Sequence, residues 1–141
     1  MTPQEIELIE GSFASVAPLE VEAAALFYGR LFEMAPEVRP LFAGDMTEQG
    51  AKLMMTLAVV VNGLRDVDKL LPVVQNLARR HVGFGVRPEH YPTVGAALLW
   101  TLEQGLGEAF TPATEAAWQK AYGTLAGVMV AAAYGDPEAA G

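Results

Sequence analysis

The sequence predicts an all-α domain of six or seven helices, and three observations carry the prediction. Apolar residues recur at three- and four-residue spacing in one segment after another. No stretch sustains the apolar–polar alternation of a half-buried strand. Capping residues and Pro or Gly breaks punctuate the chain at helix-length intervals. At 141 residues, the chain is long enough for one domain with a real core. It is 52% apolar and 18% charged, which reads as folded. That apolar share is slightly high for a small protein, as though something apolar besides its own side chains were enclosed.

The elements follow in order. Thr2 is the expected N-cap of a first helix, with Pro3 in its first position and Glu5 closing a capping box. Ile6, Ile9 and Phe13 give that helix an apolar face. Val16–Pro18 interrupts, and a second helix runs from about Leu19 to Met34 with Ala24, Tyr28, Leu31 and Phe32 on one side. Ala35-Pro36 breaks it. Pro36–Phe42 reads as a short helical turn, Ala43-Gly44-Asp45 as a loop, and Asp45 with Glu48 as a second capping signal.

A third long helix spans roughly Met46 to Leu64, with an inward face of Gln49, Leu53, Leu57, Val60 and Leu64. One polar residue thus heads an apolar stripe. Asp66 or Asp68 caps the next helix, where Pro72 is expected within the tolerant first turn, and Gly83, Gly85 and Pro88 end it. A helix from about Pro88 to Leu106 points Val94, Leu98, Thr101 and Leu102 inward. The last, from Pro112 to Tyr134 behind Thr111, does so with Trp118, Tyr122, Leu125 and Met129. Residues 1–134 form the expected domain, and Gly135–Gly141 a frayed tail.

Composition excludes several functions. Without cysteine there is no disulfide, no thiolate metal site and no thioether-linked cofactor. The net charge is −8 and the largest basic cluster is Arg79-Arg80, so nucleic acid is not an expected partner. Strictly apolar runs such as Leu57–Val61 fall far short of the ~20 residues that span a bilayer. The amino terminus lacks the basic patch and apolar core of a signal peptide, and a cytoplasmic protein is expected.

The residue that needs explaining is His81. Counting back by 4, 7 and 11 gives Leu77, Val74 and Leu70, one face of a helix. An imidazole buried there without a partner costs roughly 1–3 kcal/mol. It is either a core histidine bonded to a backbone carbonyl or a ligand to metal. The second histidine, His90, lies off that face and reads as exposed or structural. Met54 and Met55 read as core filler.

Five segments bring in a resemblance: Leu26-Phe27-Tyr28-Gly29-Arg30-Leu31-Phe32, Pro36-Glu37-Val38-Arg39-Pro40-Leu41-Phe42, Arg80-His81, Glu89-His90-Tyr91-Pro92-Thr93-Val94-Gly95, and Trp118-Gln119-Lys120-Ala121-Tyr122-Gly123. In this order, they resemble the globin family, and within it the bacterial single-domain haemoglobins and the globin domains of flavohaemoglobins. The resemblance implies the globin fold around a pocket for non-covalent haem b, with His81 as the iron ligand and the carbonyl of Leu77 holding its other ring nitrogen. It implies that Phe42, Leu53, Leu77, Arg80, Tyr91, Val94, Leu98 and Tyr122 border the cofactor.

Tyr28 and Gln49 would line the opposite side, where a phenol O–H and an amide N–H favour a dipolar diatomic ligand. Each has a plainer reading: Tyr28 as a core tyrosine, Gln49 as a solvated residue near a helix start, Phe42 as an ordinary core aromatic. No other histidine is placed to be a second ligand, so a five-coordinate ferrous form is expected, with Tyr28 a candidate ligand to ferric iron.

The implied function is reversible binding of O2, with CO and NO as further ligands, for transport, storage or sensing. The alternative is conversion of NO to nitrate with a separate reductase, and a remote one is a haem-free interaction domain. The proximal glutamate of this bacterial group falls on Ala133 by count from Trp118, and the nearest acid is Glu138. That departure, and a chain expected to lack the reductase portion of flavohaemoglobins, favour a binding role. Monomer and homodimer stay open.

Overall fold

The structure, a computed structural model, describes residues 2–42, 45–83 and 87–134. The loop positions Ala43 and Gly44, the helix terminator Gly85 and the tail Gly135–Gly141 lie outside the described residues. Six α-helices make up the fold: α1 (Pro3–Val16), α2 (Glu20–Met34), α3 (Met46–Asn62), α4 (Val67–Gly83), α5 (His90–Leu106) and α6 (Pro112–Tyr134). Short 3₁₀ segments at Ala17–Leu19, Pro36–Leu41 and Gly107–Ala109 join them, and no strand occurs among the described residues.

α1 starts as expected. Thr2 Oγ1 accepts from the Glu5 N–H, and the Thr2 N–H donates to Glu5 Oε1, so each satisfies an orphan donor. Its face buries Ile6 and Ile9 and is tied to α6, because Trp118 Nε1 donates to Ser12 Oγ at 2.8 Å. α2 follows the 3₁₀ turn that Pro18 favours, so it opens at Glu20 rather than Leu19.

α3 differs from expectation in two ways. It ends at Asn62, two residues early, because Gly63–Arg65 form a turn that carries Arg65 to α1, where its guanidinium pairs bidentately with Glu10. Its deepest edge is Gly50, Met54 and Val61, offset by one residue, about 100°, from Gln49, Leu53 and Val60. Gly50 is the reason: a Cβ there would sit 2.8 Å from Ala24 Cβ, so only glycine lets α3 close on α2 along that edge. The expected inward face is half-buried at the margin of the core. Met54 is core, whereas Met55 is exposed and fills nothing.

α4 starts at Val67, so Pro72 lies in the second turn, not the first. It cannot donate to the carbonyl of Asp68, and both residues are exposed where water can reach that carbonyl. α5 starts at His90 rather than Pro88, since the His90 N–H closes a turn onto the Arg87 carbonyl and His90 Nδ1 accepts from the Arg87 N–H, both at 3.0 Å. His90 is therefore structural. α6 matches its expected span.

The interior divides into two clusters. The larger joins Ile9, Phe27, Leu31, Met54, Leu98, Leu102 and Trp118. The smaller joins Val74, Ala78, Tyr91 and Met129. α3 packs on α2 and α1, while α4 packs on α6, so these consecutive helices have different partners. At the margins stand half-buried apolar residues: Phe42, Leu53, Leu57 and Val94 by the larger cluster, Leu70, Leu77 and Leu125 by the smaller.

Candidate functional site

The residues singled out by sequence fall into two groups, one on each cluster. On the smaller cluster, the inward face of α4 presents Val74, Leu77, Ala78 and then half-buried His81. His81 Nδ1 lies 2.8 Å from the carbonyl oxygen of Leu77. A carbonyl only accepts, so Nδ1 carries the proton and a neutral ring keeps its lone pair on Nε2. This is the tautomer that a metal-ligating imidazole needs.

Tyr91, in the first turn of α5, is buried in the same cluster as Val74 and Ala78, the turn of α4 before His81. Its position is fixed from α6: the Tyr122 hydroxyl donates to the Tyr91 main-chain carbonyl. Gly95 makes that reach possible, since a Cβ there would meet Tyr122 Cε1 at 2.5 Å. Burial, and next the nearby Tyr91 phenol, push the Tyr122 hydroxyl pKa well above its ordinary value, so it stays protonated and donating. Ala133 is half-buried against this cluster.

On the larger cluster, α2 buries Tyr28 within a set of aromatic rings. Phe27 and Phe42 meet it edge-on at 5.1 and 5.2 Å between centroids, and Phe32 stacks at 5.9 Å. The Tyr28 hydroxyl donates to the main-chain carbonyl of Gln49 at 3.3 Å, so α2 and the first turn of α3 share this corner. Burial raises the phenol pKa to about 12, which keeps it a neutral donor. Phe42 is held from outside by Arg39, whose guanidinium lies over Phe32 at 5.1 Å and donates to the Phe42 carbonyl.

Gln49 and Leu53 are half-buried one turn apart on α3. On α5, Leu98 is buried in the larger cluster and half-buried Val94 packs against it. Tyr28, Phe42 and Gln49 are thus brought together, as are His81 and Leu77, while Tyr91 lies in the cluster against which Leu77 packs. Arg80 is exposed at the end of α4.

Two features escaped the sequence reading. The Tyr28–Gln49 carbonyl bond involves main chain and leaves no residue signature. Gly95 inside a helix is a visible anomaly, because a glycine there costs roughly 0.5–1 kcal/mol against alanine unless something approaches closely.

The margins of the two clusters are leucine, valine and phenylalanine, and half-buried His81 stands on the α4 face that continues the smaller one. Among the described residues, no group of three or more His, Cys, Asp or Glu could hold a metal ion by itself. No helix among them is long and apolar enough to cross a membrane.

Comparison with known proteins matches residues 25–129 to the family model described as Globin. The chain is 36% identical over 136 residues to a flavohemoprotein of Chromobacterium violaceum, covering 90% of this chain and 34% of that protein. It is 33% identical over 130 residues to a flavohemoprotein of Bacillus subtilis, covering 89% and 32%. It therefore spans about a third of the length of these curated relatives. Among solved structures, a bacterial globin from Campylobacter jejuni superposes with a TM-score of 0.80 at 29% identity, over 93% of this chain and 95% of that one.

Proposed function

The chain belongs to the globin family, and from that premise we propose that it is an oxygen-binding protein with His81 as its iron ligand. The family's cofactor is haem b, held without a covalent bond. When bound, haem supplies a ferrous iron that takes O2, CO or NO reversibly. The chain's own residues do the rest. His81 would give Nε2 to the iron, with the Leu77 carbonyl, 2.8 Å from Nδ1, fixing the ring and making it more basic. Tyr91, from α5, shares a cluster with Val74 and Ala78 in the turn of α4 before His81, and Tyr122 holds its backbone. Phe42, Leu53, Leu77, Val94 and Leu98 would exclude water from the cofactor faces, whereas Arg80, expected beside the cofactor, is exposed on the outer side of α4.

Tyr28 and Gln49 meet on the opposite cluster, where the Tyr28 hydroxyl would have to exchange the Gln49 carbonyl for a bound ligand in order to donate to it. A protonated phenol, secured by burial, is what such a donor requires. The observation that carries the reading is the 2.8 Å contact between His81 Nδ1 and the Leu77 carbonyl, on the apolar face of α4. A neutral ring bonded through Nδ1 to carbonyl is poised as a ligand.

Conversion of NO to nitrate is the second reading, since the relatives named above are flavohemoproteins. Ala133, where the resemblance expects an acid, favours carriage of ligand over that turnover. The test is the visible spectrum of the haem-loaded protein, ferric, reduced and with CO, for wild type and His81→Ala. A sharp Soret band that shifts with CO, and that the variant loses, is expected. An undiminished spectrum in His81→Ala overturns the assignment of the ligand.

A further inference from the structure

We propose that the outer stripe of α4 is the docking surface for an acid-faced one-electron carrier protein. The inference rests on His81 as the iron ligand and goes beyond ligand binding to how the iron is kept reduced. Lys69, Pro72, Val73, Asn76, Arg79 and Arg80 recur at helical spacing, and all are exposed. This face is opposite Val74, Ala78 and His81, so a partner seated on it lies about one helix diameter, roughly 10 Å, from the ligand side.

The charge pattern singles out this helix. The chain carries −8 overall. α1, α2 and α5 are net acidic, and α3 and α6 balance, whereas α4 alone is net basic, with Lys69, Arg79 and Arg80 against Asp68. Arg79 and Arg80 make no ion pair among the described residues. Lys69 meets Asp66 only at 3.6 Å, largely in water. A basic residue in the last turn also complements the helix dipole, but that accounts for neither Lys69 nor Val73.

Val73 is 51% exposed in the middle of the stripe, an apolar contact flanked by cations. Such a surface suits a partner with carboxylates around an apolar spot. Every net-acidic face of the chain repels that partner, so the stripe sets the orientation of encounter as well as its rate. The step is a single electron: the carrier is oxidised by one and ferric iron becomes ferrous.

The test uses the haem-loaded full chain and a reduced two-iron ferredoxin as the acidic carrier, under CO, with ferrous–CO formation followed by stopped flow. Arg79→Glu is compared with Lys52→Glu, which reverses one charge on exposed α3. We expect Arg79→Glu to slow reduction at least fivefold, Lys52→Glu less than twofold, and Arg79→Lys to keep the rate. A small uncharged flavin reductant should reduce all four proteins alike, which shows that fold and haem are intact. Equal slowing by Arg79→Glu and Lys52→Glu overturns the surface.

A second readout needs no electron transfer. Zero-length carbodiimide coupling should join ferredoxin carboxylates to Lys69 in preference to Lys52 or Lys120, and coupling without that preference also overturns the surface. Failure of wild type to take up haem would sink the ligand assignment instead, a result the flavin control makes visible.

Discussion

The Tyr28 hydroxyl gives its only proton to the main-chain carbonyl of Gln49, 3.3 Å away and 21 residues along the chain. That separation is beyond the usual O–H···O range of about 2.5–3.0 Å, so the bond is weak and inexpensive to exchange. A phenol with one proton cannot donate to that carbonyl and to a bound diatomic ligand together. Ligand affinity is therefore set against a contact that also anchors the first turn of α3.

Replacing Tyr28 by Phe removes the donor and keeps the ring among Phe27, Phe32 and Phe42. A hydrogen bond to a group bearing partial charge is worth about 1.5–3 kcal/mol, so O2 should leave the ferrous protein roughly 10–100 times faster. CO, less polar when bound, should change much less. Stopped-flow displacement of O2 by CO measures this. An unchanged O2 off-rate would show that the proton stays on Gln49.

Gly95→Ala should destabilise through one identifiable clash. The new Cβ falls 2.5 Å from Tyr122 Cε1, so the ring must move and its hydroxyl loses the Tyr91 carbonyl. Overpacking of this kind costs about 1–3 kcal/mol. Tyr122→Phe should cost about 1 kcal/mol, the net value of one hydrogen bond. The double variant should fall short of the sum, since both changes break the same contact. Denaturant titration of the four proteins decides it, and strict additivity would mean the two residues do not act together.

Most of the fold was legible because its signals are local. Thr2-Pro3-Gln4-Glu5 announces α1, and Thr111-Pro112 announces α6. His81 was legible for the same reason, as its acceptor lies one turn back on its own helix. What sequence could not show were rotations fixed by distant contacts. Gly50 turns α3 because Ala24 lies beside it, and Arg65 ends that helix's run by reaching Glu10, 55 residues away. The division of the core in two depends on α4 choosing α6 over α3, which no periodicity encodes.

Pro72 sits in the second turn of α4, exposed, where it withholds an N–H from the Asp68 carbonyl. Pro72→Ala restores that donor and improves helix propensity by up to about 3 kcal/mol, offset by about 0.4–1 kcal/mol of unfolded-chain entropy. The expected result is a gain of about 1–2 kcal/mol in denaturant stability with an unchanged CO-bound spectrum. A loss of stability would mean that the proline's shape, rather than its missing donor, matters at this turn.

Alkaline pH should destabilise the protein through its buried phenols. Burial moves Tyr28 from its ordinary 10.0 to about 12, and it moves Tyr122 in the same direction. Between about pH 10 and pH 12 the unfolded chain has released these protons while the folded chain keeps them. The unfolded state then binds fewer protons, so stability falls as pH rises, and the Tyr28 contribution is gone above its folded value. Below about pH 10 both states hold the proton and these groups add no pH dependence. Denaturant midpoints taken across this window should decline for wild type and decline less steeply for Tyr28→Phe and for Tyr122→Phe. Parallel slopes in all three would assign the alkaline loss to other groups.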